Sequence, residues 1–305
     1  MKRLPKIGLK RKLPEMLTDS ARSLSVVAAS PPSSQRVAAK QICFVTDAPA
    51  GRKVIRKFRQ PRRAVAAESA VALSDLLTAD IRAEPAHRCW IVFVPKGTAA
   101  EKLSSVEEWI ARPVEPGATP TIVVQHNAEI IRWRPGQAVV QCTQERQEEI
   151  LAALVEFAFY EGELRALESG LEAHEAQAQA DVSIAYQIQR RDQKHWSRFK
   201  EAIEYFAHMR LTYARLEPLL ARPSRALSPQ SQRIVAALFR EADVEDRLEA
   251  LNDRLEALED LYEGANDRIA DYRGYRSGTL LEIVIAMLLF LETIIITLDI
   301  FMHHH

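Results

Sequence analysis

The sequence predicts an α+β protein: an N-terminal mixed α/β domain of about five strands, a long helical coiled-coil region, and one C-terminal transmembrane helix. Three observations predict it. Strand-like runs are confined to residues 40–143, and apolar residues at heptad spacing occupy 228–278. The run "LLEIVIAMLLFLETIIITLDIFM", Leu280 to Met302, has the length and apolar content of a bilayer span.

Residues 1–39 are basic and rich in Ser, Ala and Pro, the composition of a disordered arm. They lack the continuous apolar core of a secretory signal, so secretion is not expected. They would suit a mitochondrial presequence in a eukaryote and a solvated arm in a bacterium. The α/β domain, 40–143, opens with the strand "QICFVT", followed by "GRKVIRKFRQPRR", 51–63, read as a polar basic connection. Val71, Leu73, Leu76, Leu77 and Ile81 lie near helical spacing and predict a helix over 66–83. "CWIVFVPKG" is a short apolar run closed by turn residues, hence a buried strand, and "AAEKLSSVEEWIARP" a short helix stopped before Pro113. "TIVVQ", "EIIRWR" and "QAVVQC", separated by "HNA" and "PG", predict an antiparallel meander over 121–142.

Strand signals then cease. Residues 144–227 form a helical region with soft points at Gly162 and Gly170, and its second helix spans roughly 183–216, up to Pro218. Ser228 and Pro229 are an N-cap and first-turn pair for a third helix. That helix carries a heptad seam: Val244, Leu248, Leu251, Leu255, Leu258, Tyr262, Ala265, Ile269 and Tyr272, with "RLEAL" at both 247–251 and 254–258. Without a break at Gly274 or Gly278, residues 229–302 would be one helix. The seam is assigned to self-association, giving a homo-oligomer rather than an intrachain bundle.

The span, 279–302, contains three acids. Its fifteen Leu, Ile, Val or Phe residues contribute about −5 to −9 kcal/mol on an insertion scale, against about +3 kcal/mol for the central Glu292. Glu282 and Asp299 lie near the ends, where the cost falls. At 100° per residue Glu282, Glu292, Thr293, Thr297 and Asp299 share one broad face, a polar seam suited to contact between helices in the membrane. The alternative is a buried helix of a soluble bundle. Arg268, Arg273 and Arg276 precede the span and no Lys or Arg follows it. The expected topology is therefore a single-pass C-terminal anchor with the bulk on the cytoplasmic or matrix side, at a bacterial or mitochondrial inner membrane.

Overall charge is balanced, forty-one basic residues to forty-one acidic, but residues 1–63 hold sixteen Lys or Arg against Glu15, Asp19 and Asp47. Arg52, Lys53, Arg56, Lys57, Arg59, Arg62 and Arg63 are candidate contacts for RNA phosphates or anionic headgroups. The competing reading is a solvated loop balancing the acidic helix 243–271. Cys43, Cys89 and Cys142 are far apart in apolar runs and suggest neither zinc nor a disulfide. Phosphate-loop, dinucleotide and zincin motifs are absent from the sequence. Glu201, Glu204 and His208 share a helix face without di-iron spacing, and His126–Asn127 reads as a hairpin turn. No enzyme activity, cofactor, metal or small-molecule substrate is expected.

The helices "ALVEFAFYEGELRALE", "RLTYARLEPLLARP" and "DRLEALNDRLEALEDLYEGANDRIADYR" precede the terminal run. There Leu281 and Glu282 are followed by Ile-rich sequence and by Glu292 ten residues on. In this order and in that ending, over about residues 150–302, the chain resembles the "required for meiotic nuclear division" family, also termed DUF155. In the head, "IVFVPKGTAA" matches only part of the family's strand pair. The resemblance implies a membrane-attached, non-catalytic organiser, whose mitochondrial members support organelle translation at the inner membrane. The sequence reading is thus a membrane scaffold presenting an α/β head with a basic arm. The alternative is a transporter or channel-related subunit resembling CorA, against which stand a single span and the lack of a G-M-N tripeptide.

Overall fold

The computed structural model describes residues 37–78, 88–98, 100–112, 120–186 and 196–303, without the side chains of 100–102, 272, 273, 276, 277 and 297–303. The basic N-terminal arm lies outside the described residues as far as residue 36.

Two strands of the head are apolar on both faces, and they form its centre. β4 (Arg88–Pro95) and β7 (Gln137–Cys142) pair in parallel, as expected for strands covered on both sides. Every other pairing is antiparallel. β1 (Ala38–Val45), β2 (Lys53–Phe58) and β3 (Ala64–Val71) extend one side, while β5 (Ile122–His126) and β6 (Glu129–Arg134) extend the other. The order is β2-β3-β1-β4-β7-β6-β5. The meander β5-β6-β7 matches expectation, and its turns are made by Asn127 at φ 55° and Gly136 at φ 76°.

The sheet therefore has seven strands rather than about five, and the two extra ones correct the sequence reading. Residues 53–58, read as a connection, form edge strand β2, where charged side chains are tolerated and discourage edge pairing. Residues 64–71, read partly as helix, form β3; helix follows as α1 (Leu73–Thr78), and the rest of the expected helix, 79–83 with Ile81, lies outside the described residues. The alanines of β3 mislead by propensity. Ala64 and Ala66 are fully buried in the same core as Phe159, where small side chains leave room for large rings.

Helices cover both faces. α1 and α2 (Ala100–Ala111) place Leu76, Val106, Trp109 and Ile110 against Val92, Val94 and Val139. α3 (Gln147–Tyr186) covers the other face, and its first turns are buried almost all round. Phe159 stacks on Phe58 at 3.9 Å between ring centroids, and Phe157 meets Trp133 edge-on at 5.1 Å. Each such ring contributes about 1.5–3 kcal/mol of burial.

Beyond the sheet α3 continues into a bundle with α4 (Trp196–Ala221) and α6 (Val244–His303). Gly170, read as a soft point, sits where α4 approaches closely: a Cβ there would come within 2.8 Å of the Tyr205 hydroxyl. Of the second helix expected over roughly 183–216, residues 183–186 end α3, 187–195 lie outside the described residues, and α4 runs from Trp196 through Pro218 to Ala221. α5 (Pro229–Glu241) begins as predicted, with the Ser228 hydroxyl accepting from the Ser231 N–H.

The single helix expected over 229–302 is broken, though not at a glycine. Ala242 and Asp243 separate α5 from α6, and Asp243 takes φ 49°, a left-handed conformation that Asp tolerates better than most residues. α6 then runs sixty residues, roughly 90 Å. Its heptad seam is buried inside the chain. Leu248, Leu251, Leu255, Tyr262, Ala265 and Ile269 are buried, with Leu258 half-buried, in one core shared with α3 and α4. Burial within one chain accounts for this seam, so the reason for assigning it to a second copy falls away. Tyr272 carries no described side chain.

The "RLEAL" repeat has a second use. Arg247 holds Glu168 through two nitrogens at 2.8 and 2.6 Å, and Arg254 holds Glu175 at 2.7 Å. Arg268 donates to the Ala185 carbonyl at 3.1 Å and lies over the Tyr186 ring. The ascending register on both helices makes α3 and α6 parallel. α4 runs antiparallel between them, with Arg210 held by Glu259 and Asn252.

Candidate functional site

Past Ile269 no described element accompanies α6. Gly278–Ile296 is long and apolar enough to cross a membrane, and none of it is buried. Exposed Leu, Ile, Val, Met and Phe residues occupy every side of it; Phe290 is 70% exposed. Among the described residues no bundle covers this helix, as the alternative of a soluble core helix would require. Thr279 and Thr293 donate to the carbonyls of Tyr275 and Leu289 four residues back, satisfying their hydroxyls locally, as an apolar surrounding requires. Glu282 and Glu292 are exposed, 80° apart around the axis. The backbones of Thr297 and Asp299 continue the helix, and their side chains are outside the described residues.

The basic run divides into two sets. Three cations are taken up by acids of α3. Lys53 pairs with Glu148 at 3.1 Å and Glu68 at 3.6 Å; Arg56 pairs with the fully buried Glu156 at 2.6 Å; and Arg62 pairs with Glu163 at 2.7 Å. Glu156 also accepts from the Ser224 N–H at 2.7 Å. Burial pushes its carboxyl above the ordinary range, against the downward pull of that N–H and of Arg56. The Lys53 bond moves Glu148 the other way, below its usual range.

The second set is free of such partners. Lys57, Arg59 and Arg63 are exposed and enter no ion pair among the described residues. Arg52 is exposed too, with one nitrogen 3.5 Å from the Cys43 sulfur. The acids that balance this run are on α3, not on 243–271 as the sequence suggested. Glu148, Glu156 and Glu163 are spaced eight and seven apart, so they share one face of α3. That spacing is the signal that would have revealed them.

Between α4, α5 and α6 lies an open groove of about 1000 Å³ with Tyr213, Leu220, Phe239 and Leu248 among its apolar lining. Glu217, Asp243, Glu245, Asp246 and Glu249 stand among its polar residues, so it favours cations over anions. Glu201, Glu204 and His208 are exposed on α4, where Glu204 meets Lys200. Cys43, Cys89 and Cys142 are buried free thiols, and burial pushes Cys142 up to about 11. His126 reaches Gln230 of α5 at 3.3 Å, a contact that fastens the β5–β6 turn to the helices.

No protein-family model matches the chain, and no curated protein matches it.

Proposed function

We propose that helix 278–303 inserts into a bilayer and holds the α/β head and its bundle at one membrane face, as a scaffold that presents the head to a partner. One observation carries this reading: a helix apolar on all sides and wholly exposed continues, without a break, a helix whose preceding turns are buried. A helix of that kind is stable in lipid and not in water. Arg268, Arg273 and Arg276 flank its N-terminal end and place the head on the positive-inside face. The family resemblance of the last helices implies the same attachment.

Ile269, the last buried residue among those described, precedes Gly278 by nine positions, roughly 14 Å of helix. That length is about twice the headgroup zone of one leaflet, about 5–8 Å, so the end of the bundle stands a few ångströms above the lipid surface. Membrane fractionation tests the reading. The full chain is expected to sediment with membranes and to resist alkaline carbonate, and deletion of 278–305 to release a folded head into the supernatant. A full chain that stays in solution after high-speed centrifugation without detergent overturns it.

A further inference from the structure

We propose that Lys57, Arg59 and Arg63, at the β2–β3 end of the sheet, form a sequence-independent surface for the phosphate backbone of a nucleic acid. The sorting of the basic run carries this. Lys53, Arg56 and Arg62 are held by Glu148, Glu156 and Glu163, so each of these α3 acids is already matched. Four cations remain; Arg52 lies against the Cys43 sulfur, and Lys57, Arg59 and Arg63 fall within seven residues, are exposed, and enter no ion pair among the described residues. They adjoin β2, an edge strand whose outer backbone groups face away from the sheet. Backbone N–H groups and cationic side chains are the two donors that grip phosphates.

Phe58, the aromatic residue of the strand, is buried against Phe159 and unavailable for stacking on bases. The surface therefore reads charge and not sequence.

Geometry separates a nucleic acid from the lipid of the chain's own membrane. Arg62 meets α3 at Glu163. Carrying the parallel register of Arg247 with Glu168 along the bundle places that level beside the start of α6. From there to Gly278 is about thirty-five residues, roughly 50 Å of straight helix. Even at a tilt of about 40° the separation stays several times the Debye length of about 10 Å. Headgroups at the anchor do not reach these cations. This exclusion rests on the anchoring proposed above; the binding itself does not.

The test uses the full chain in nanodiscs of phosphatidylcholine, or in plain buffer should it prove soluble, and a fluorescein-labelled oligouridine read by anisotropy. Binding is expected at low salt, with log K falling against log salt at a slope of about −2 for three phosphates. The triple variant Lys57→Gln/Arg59→Gln/Arg63→Gln is expected to lose at least about tenfold in affinity and most of the slope. Arg222→Gln/Arg225→Gln/Arg233→Gln removes the same charge from exposed positions elsewhere and should leave binding near wild type. Three results overturn the proposal: no binding by wild type at low salt, equal loss in the two triple variants, or a triple variant that alters only adhesion to added phosphatidylserine vesicles. The last would assign the surface to a second membrane.

Discussion

The two halves of α6 share one backbone and differ in what surrounds them. Over Val244–Ile269 the apolar residues form a stripe, and α3 and α4 cover it. Over Gly278–Ile296 apolar residues occupy the whole circumference, and no described element covers any of them. The chain can bury a stripe with two neighbours; a full circumference needs a solvent that is itself apolar. The contrast also corrects the link drawn in the sequence, where both halves were assigned to contact between copies. Only the second half still lacks a neighbour.

The largest expected effect breaks this comparison directly. Leu251 is 1% exposed and Leu288 is 60% exposed. Leu251→Glu puts an unpaired carboxylate into the bundle and should cost about 5 kcal/mol, enough to unfold the head. Leu288→Glu should leave head stability within about 0.5 kcal/mol while weakening membrane retention. Urea unfolding in mild detergent, followed by Trp fluorescence, measures the first, and fractionation the second. Equal destabilisation by both would show that the exposed half is also packed within the chain.

The next effect lies in the head and has a pH signature. Arg56→Met strips the cation from Glu156, which is fully buried, and should cost about 3 kcal/mol at neutral pH. Burial already raises the Glu156 carboxyl, and losing Arg56 raises it further. A carboxyl raised in the folded state favours folding below its unfolded pKa and loses that contribution as pH rises through the folded value. The deficit of the variant should therefore grow as pH rises above the ordinary carboxylate range. A deficit independent of pH would mean that Glu156 is held neutral in the wild type and that the Arg56 charge is immaterial. This residue also shows why neutralising the whole basic run is a poor probe of binding, since part of the run supports the fold.

Local signals explain what was legible. β4, the meander, α2, the start of α5, the seam and the span each declare themselves through a run or period of apolar residues or a turn pair within a few positions. β2 and β3 did not, because charge masks one and alanine the other, and burial against Phe159 is a tertiary fact. The break at Asp243 has neither Gly nor Pro to mark it. The exposed apolar helix was thus readable as a stretch of sequence, whereas the sorting of the cations was not. It depends on which face of α3 meets β2. The seam was read as a heptad interface between copies; its residues are buried against α3 and α4, and on α3 Glu168 and Glu175 stand at the same seven-residue spacing as Arg247 and Arg254.

That shared spacing yields the smallest predicted effect, and it sharpens the comparison within the covered half. The Arg247 side chain is about a quarter exposed, grips Glu168 with two nitrogens, and reaches the buried Glu161 at 3.5 Å. Burial works against its charge, and the two carboxylates outweigh burial, leaving the guanidinium more firmly protonated than usual. Arg254 and Glu175 are each about 40% exposed, and Glu175 uses one oxygen only. Water and salt compete freely for such a pair. Arg247→Gln should therefore cost about 2 kcal/mol, chiefly because Glu168 loses its cation while the buried Glu161 is left with Arg165 alone, and Arg254→Gln no more than about 0.5 kcal/mol. Added salt should shrink the second effect and barely change the first. Equal costs for the two would mean that the ladder is uniformly buried and that the covered half of α6 does not loosen toward its exposed end.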